Sequence, residues 1–566
     1  MAGHKRTDVI CLAAAFLAVV LTVLFINGKA LGLKPMYEEQ PDELADSPYF
    51  SAADISRRWQ GEAATDIQLS DKGVKVSGSG VYVLDDDIHI TLSGIYRIAG
   101  IYTKGAVVVD ADAYAVVRLV LDNADITCAD DACIRIEQAD KTIISLADNS
   151  ISTLYSNVYE SHSGGIDAAL FARDDLTING EGTLRIESLR GHGIKANDDL
   201  VITGGNIEIS SRLDGIHAHD SFRFARAGLT AEAGDEGIAV SGEEGYFYLH
   251  SGHLEIDAVD DGIHTAGRLE IDGGTITMEA GDDGLHADTA VIVNDGEIDI
   301  RECHEGIEAP AIEVHGGSLA IVPYDDGMNA NNGAGVIAIG GLSNTDSERT
   351  MPYILIEGGD ITIANDNAYN ADGLDSNGDL FIHGGSLRIF LNQSGQNAVF
   401  DYGYEFGGRA VIDGGTLIGA ASLADPETFG FQSRQASLLY TVSEGVRAGS
   451  PIALKDENDS ILLEETVPCD VSLLLLSCPQ MKTGGSYRLA VNGREEDIRL
   501  SGIASVAGDV RLSLHADRHS GLPVLSGPVV TVREETDASA QYFLFFSIAV
   551  LLAGLGVAAF YPDRLK

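Results

Sequence analysis

Between residues 200 and 390 apolar and polar positions alternate in short runs: NIEI at 206–209, TITM at 275–278, EIDI at 297–300, SLAI at 318–321, DITI at 360–363 and SLRI at 386–389. Each run follows a glycine turn and has period two, the mark of a short strand with one buried face. Helical periodicity is absent from this region. A second element recurs between the strands: RLDGIHA at 212–218, GDEGIAV at 234–240, VDDGIHT at 259–265, GDDGLHA at 281–287, CHEGIEA at 303–309, YDDGMNA at 324–330 and NADGLDS at 370–376, with a variant, GHGIKA, at 191–196. Its glycines, Gly193, Gly215, Gly237, Gly262, Gly284, Gly306, Gly327 and Gly373, are separated by 22, 22, 25, 22, 22, 21 and 46 residues, and the long step holds the insertion GAGVIAIGGLSNTDSERTMPY.

A fixed period of this length with two or three strands per unit predicts a solenoid. It is too short for a propeller blade, and the consensus of a leucine-rich horseshoe is missing. The expected fold is all-β, a right-handed parallel β-helix of ~22-residue coils closed by a C-terminal β cap and flanked by two transmembrane helices. The expected organisation is a cytoplasmic segment at 1–8, a transmembrane signal-anchor at 9–28, and a linker with an N-terminal cap at 29–84. The β-helix follows at 85–425, the β-rich cap at 426–530, a linker at 531–540, a transmembrane helix at 541–562 and a cytoplasmic tail at 563–566.

The two spans rest on the uncharged runs VICLAAAFLAVVLTVLFING and FLFFSIAVLLAGLGVAAF, each with basic residues on its outer flank, which places the ends in the cytoplasm and the bulk of the chain outside the plasma membrane, with the bilayer as a partner. With 86 acidic against 37 basic residues the formal charge is −49, which repels phosphate backbones and excludes nucleic acid as a partner. Cys128 with Cys133, and Cys469 with Cys478, are spaced for short bridges that an exterior location permits but does not require.

In stacked coils Asp261, Asp283, Glu305, Asp326 and Asp372 fall on one ladder, with Asp260, Asp282 and Asp325 beside it. Unit charges ~4.8 Å apart repel by about 1 kcal/mol in water and about 3–4 kcal/mol at an effective dielectric of 20. Raised pKa values, divergent side chains or a divalent cation relieve this. Calcium suits the oxygen donors, and no trio of nitrogen or sulfur ligands recurs at zinc spacing. The bland alternative is a turn: Asp bonds its own backbone and Gly supplies positive φ. A turn needs one acid, however, and these motifs carry two.

These residues resemble a family of bacterial carbohydrate-binding domain-containing proteins. The likeness runs through ITLSGIYRIAG at 90–100, DDLTINGEGTL at 174–184, the DDGIH and DDGLHAD motifs, ADGLDSNGDLFIHGG at 371–385, VIDGGTLIGAAS at 411–422 and the tail LLLLSCPQMKTGGSYRL. The resemblance implies a calcium-binding right-handed parallel β-helix, similar in fold to polysaccharide lyases, that takes cellulose and acidic sugars. It places calcium on Asp260, Asp261, Asp282, Asp283, Glu305, Asp325 and Asp326, with Asp288 as an additional ligand; CHEGIEA departs from the doubled acid. Sugar contacts are expected from His264, His286 and Asn329 beside the ions. Tyr402 and Tyr404, set with Phe400 and Phe406 in NAVFDYGYEF, are expected to form an aromatic platform or to pack against the cap.

The expected function is calcium-dependent binding of an acidic polysaccharide such as polygalacturonate, or of cellulose, with no catalytic residues assigned. A pectate-like lyase is the enzymatic alternative, although the only lysine between 165 and 420 is Lys195, leaving Arg268, Arg301 and Arg388 as bases. A surface adhesin or spacer is the non-binding alternative.

Overall fold

The computed structural model describes residues 43–57, 59, 62–158, 165–331, 351–516 and 523–526. The chain divides into Met1–Ser56 and Arg57–Lys566. The described part of the first unit ends in a one-turn helix, Ala52–Ile55, closed by a capping box in which the Ser51 hydroxyl accepts the Asp54 amide and the Asp54 carboxylate accepts the Ser51 amide.

The second unit is the solenoid. One coil comprises Ile263–Thr265, Arg268–Ile271 and Thr275–Ala280, and the next repeats it as Leu285–Ala287, Ala290–Val293 and Glu297–Cys303. The coils stack in parallel register, with Ile263 opposite Leu285, Leu269 opposite Val291 and Ile276 opposite Ile298. All six side chains are buried, so each apolar position of the repeat becomes a column through one continuous core. The motif strands form one face, a 14-stranded sheet running from Val81–Leu84 to Ala398–Tyr402. The parallel β-helix read from the repeat is thus present, as a right-handed-type β-solenoid of about 11 turns.

The motif glycine has a different role from the one a turn would give it. Neither Gly262 nor Gly284 has positive φ; a Cβ on Gly262 would sit 2.6 Å from the carbonyl oxygen of Gly284, and one on Gly284 would sit 2.7 Å from that of Gly306. The residue is glycine because successive coils approach too closely for a side chain. Positive φ belongs instead to the glycine that precedes the alternating strand, as at Gly274, where φ is 87°.

The parallel stack ends where Thr416–Ala421 pairs antiparallel with Val471–Ser477, which in turn pairs with Ser437–Val446. A four-stranded antiparallel sheet, ordered Ile461–Thr466, Pro451–Asp456, Ser486–Val491 and Arg494–Arg499, completes this region. Reversing direction at the last coil occupies the strand edge that a solenoid otherwise leaves open.

Two expectations change here. The described residues contain no helix long and apolar enough to cross a membrane; their one α-helix has 4 residues, about 6 Å against a hydrocarbon core of about 30 Å. The fold class is therefore corrected to an all-β solenoid: the runs at 9–28 and 541–562 lie outside the described residues, and the two transmembrane helices and the bilayer contact they implied are without support. Cys128, Cys133, Cys303, Cys469 and Cys478 are all buried free thiols, so neither short bridge forms.

Candidate cation and carbohydrate site

The two acids of each motif diverge. The inner residue turns into the coil stack, and Asp261, Asp283 and Asp326 are only 6%, 4% and 8% exposed. The outer residues Asp260, Asp282 and Asp325 lie on the solvent side of the backbone, with Asp260 and Asp282 exposed. The doublet lies in the bend just before each short strand, Ile263–Thr265 or Leu285–Ala287, where the backbone turns one acid inward and leaves the other to solvent. The inner acid instead meets the residue three positions later, because Asp261, Asp283, Glu305, Asp326 and Asp372 run alongside a second column of His264, His286, Glu308, Asn329 and Asp375. Outer acids still approach the inner ones locally, since Asp282, Asp283 and His304 bring one ligand atom each within 4.8 Å of one another.

One carboxylate oxygen of the inner acid is consumed in holding the stack together. Asp261 Oδ1 accepts the amide of Asp283 at 2.9 Å, Asp283 Oδ1 that of Glu305 at 3.3 Å, Asp326 Oδ1 that of Asp372 at 2.7 Å and Asp372 Oδ1 that of Ala398 at 3.0 Å. The other oxygen faces the second column.

The neutralising partners change along the stack. Around Asp261 the counter-groups are imidazoles: His286 Nδ1 lies 3.0 Å from Asp261 Oδ2, His264 and His286 stack with centroids 4.5 Å apart, and both reach toward Asp288 Oδ1, at 3.7 and 3.9 Å. The pKa of His264 is raised, first by its hydrogen bond with Glu236. In His286 burial opposes the charged form, but the hydrogen bond and charge of Asp261, with Glu308 and Asp288, outweigh it and raise the pKa.

Past His286 the column becomes carboxylate against carboxylate. Burial, a hydrogen bond with Glu308 and the charges of Glu305 and Asp261 push the Asp283 carboxyl up to about 10. Burial and Glu308 push Glu305 up to about 7, and burial with Asp372 and Asp375 pushes Asp326 up to about 9. Burial, followed by Asp375 and Asp401, holds Asp372 well above the carboxylate range, while burial and Asp401 bring Asp375 to about 6. Asn329 is 6% exposed; its Nδ2 donates to Glu305 Oε2 at 2.9 Å, whereas its Oδ1 is buried with no partner. An acceptor with no donor, set among carboxylates that resist ionisation, fits an oxygen-ligated hard cation such as calcium. Glu305, Asp326, Asp372 and Asp375, with the Asn329 carbonyl, are the residues that would hold it.

The sequence reading did not place Asp375 or Asp401 in the ion set, and it left Asp372 on the ladder without assigning it. Asp372 is 46 residues from Asp326 yet occupies the next rung, since Met328–Ala330 pairs in register with Leu374–Ser376. Asp401 lacks the motif glycine altogether and is located by its pairing with Asp375. The signal for it was the constant one-residue offset from the buried apolar column, Leu374 to Phe400.

The aromatic row does not form one platform. Phe400 and Tyr402 are buried at the end of the motif sheet, while Tyr404 and Phe406, 50% and 63% exposed, belong to the short 3-10 turn Tyr404–Phe406. Tyr402 therefore packs in the core, and only Tyr404 of the two expected sugar contacts offers a large surface to solvent. Each candidate base is held by a carboxylate: Lys195 by Asp167 at 2.8 Å, Arg268 by Glu270 at 3.3 Å, Arg301 by Asp299 at 2.9 Å, and Arg388 by Asp360.

Fold and site together define an acidic β-solenoid with a column of carboxylates along its motif face. Residues 84–327 match the family model described as carbohydrate-binding domain-containing protein, in agreement with the resemblance carried by the motifs. A carbohydrate-binding domain-containing protein of Acetivibrio thermocellus is 33% identical over 136 residues, 23% of this chain and 48% of the relative, so the chain spans about half the length of the curated relative it matches. A solved structure titled as the polysaccharide lyase-like protein from C. thermocellum, gadolinium derivative, is 25% identical, with a TM-score of 0.33, and the match covers 45% of this chain and 94% of that one.

Proposed function

We propose that the carboxylate column binds calcium and, through it, an acidic polysaccharide such as polygalacturonate. The observation that carries this reading is the run of buried Asp326 with half-buried Glu305 and Asp372, whose carboxyls are pushed up by burial and by neighbouring carboxylates, beside the unpartnered Asn329 Oδ1. Bound calcium supplies positive charge that neutralises the column and keeps coordination places for the carboxylates of the sugar. The exposed outer acids would repel a polyanion without it. Along the same sheet face Glu308 adjoins Asn329 and His286 and His264 continue the column of polar edges, and the match of residues 84–327 to a carbohydrate-binding domain-containing family supports sugar as the ligand.

Retention on immobilised polygalacturonate and on cellulose, with calcium and with chelator, tests the proposal. Retention on polygalacturonate that requires calcium supports it. Retention indifferent to chelator removes the calcium bridge, and formation of unsaturated uronate in the eluate replaces binding with lyase activity.

A further inference from the structure

We infer that the glycan lies along the solenoid axis, one sugar to a coil, on an eight-rung track from His217 to Asp401 of which calcium clamps one end. This rests on the calcium-bridged reading above and gives that site a direction and a length. The column that carries His264, His286, Glu308, Asn329 and Asp375 continues in unbroken register, through Ala239 to His217 on one side and to Asp401 on the other. At ~4.8 Å per coil the track is about 34 Å long.

Both ends of the track are marked. Beyond His217 come Lys195, whose Nζ is tied to Asp167 at 2.8 Å, and then Phe171. Phe171 belongs to the same outward column, yet it is fully buried in an apolar cluster with Val158 and Ile166 that is separate from the solenoid core. The face is therefore covered at that coil. At the other end Ala398–Tyr402 is the last strand of the motif sheet, and the exposed rings of Tyr404 and Phe406 follow it.

The axis is the direction along which the side chains repeat. A motif strand such as Leu285–Ala287 has 3 residues, about 10 Å, before the coil turns. From coil to coil, in contrast, the column presents a side chain at a spacing close to the length of one pyranose in an extended chain, so a polymer laid along the axis meets a new rung with each sugar. The rungs differ in chemistry. The acids assigned to calcium run alongside Glu308, Asn329 and Asp375. Farther along, imidazoles fixed by inner acids take over: His286 Nδ1 lies 3.0 Å from Asp261 Oδ2, and His217 Nδ1 lies 2.6 Å from Asp214 Oδ2. Half-buried rings held in this way can pack against a sugar at little further ordering cost. Ala239, between His217 and His264, puts no bulk in the path.

The test is calorimetric titration of the full-length protein with oligogalacturonides from trimer to decamer in saturating calcium. Affinity is expected to rise from trimer to octamer by on the order of 100-fold, beyond the few-fold statistical gain of extra registers on a short site, and to level off past the octamer. Ala239→Arg, which blocks the path away from the ion, and His217→Gln at its far end should each lower the octamer-to-trimer affinity ratio at least ~10-fold, the equivalent of one lost contact. His217 is half-buried, so its variant serves should Ala239→Arg fail to fold, and circular dichroism distinguishes the two cases. Equal affinity for trimer and octamer, a plateau well short of the octamer, or a ratio untouched by His217→Gln and by folded Ala239→Arg overturns the track and leaves the calcium bridge standing. Failure of every oligomer to bind in calcium overturns both.

Discussion

The backbone N–H of Asp372 donates to Oδ1 of Asp326 at 2.7 Å, across 46 residues of sequence. One side chain thus ties two coils together with one oxygen and contributes the other to a column of acids. Structural and ligand roles are split between the two oxygens of a single carboxylate, which permits a substitution that separates them.

Asp326→Asn retains an acceptor for the Asp372 amide while removing the charge. In chelator the variant is expected to be more stable than the parent at pH 7.5, by on the order of 1–3 kcal/mol, because the parent holds a carboxyl pushed up to about 9. Calcium should then raise its melting temperature much less than that of the parent. Thermal melts of both proteins with and without calcium check this; a less stable variant with an undiminished calcium response would remove Asp326 from the ion set.

The pH dependence of the metal-free protein follows from the same groups. Asp326 and Asp283 have folded-state values of about 9 and about 10, above the ~3.9 of an unfolded aspartate, so the folded chain binds more protons. Their contribution is fully present below pH ~4 and is lost as pH rises through the folded values. His264 and His286, also raised, act in the same direction above pH ~6.5. Denaturant midpoints in chelator should fall steadily from pH 5 to pH 9, and saturating calcium should flatten that slope. A chelated protein that gains stability toward pH 9 contradicts the buried column.

Gly284→Ala would place a methyl group 2.7 Å from the Gly306 carbonyl oxygen and 2.7 Å from the Ile300 side chain. The coils would have to separate, at a cost of roughly 1–3 kcal/mol or more. Urea unfolding measures the loss, with Gly502→Ala, whose nearest atom would be 3.3 Å away, as the mild comparison. Equal stability in both variants would return the motif glycine to the role of a simple turn residue.

Tyr402 and Tyr404 separate core from surface. Tyr402→Ala is expected to cost about 3–5 kcal/mol, since the ring is buried beside Phe400, whereas Tyr404→Ala should change stability by less than ~1 kcal/mol. If Tyr404 contacts sugar, its loss lowers retention on cellulose at unchanged stability; unchanged retention assigns the ring to the surface alone.

The fold was legible because a solenoid writes its period into the chain. Apolar alternation after each glycine turn, repeated at 22-residue steps, determines three-strand coils and a continuous core, since only stacking buries one face of every strand. The sequence by itself also determined the inner acidic ladder, from Asp261 to Asp372. What it left undecided was direction. Whether Asp282 and Asp283 act together depends on the bend before Leu285–Ala287, which sends one outward and one into the stack, and so transfers the partnership from the doublet to His286 and Glu308. Only the tertiary register set Asp401 beside Asp375, because the two are one coil apart in space and the missing motif glycine conceals their spacing along the chain.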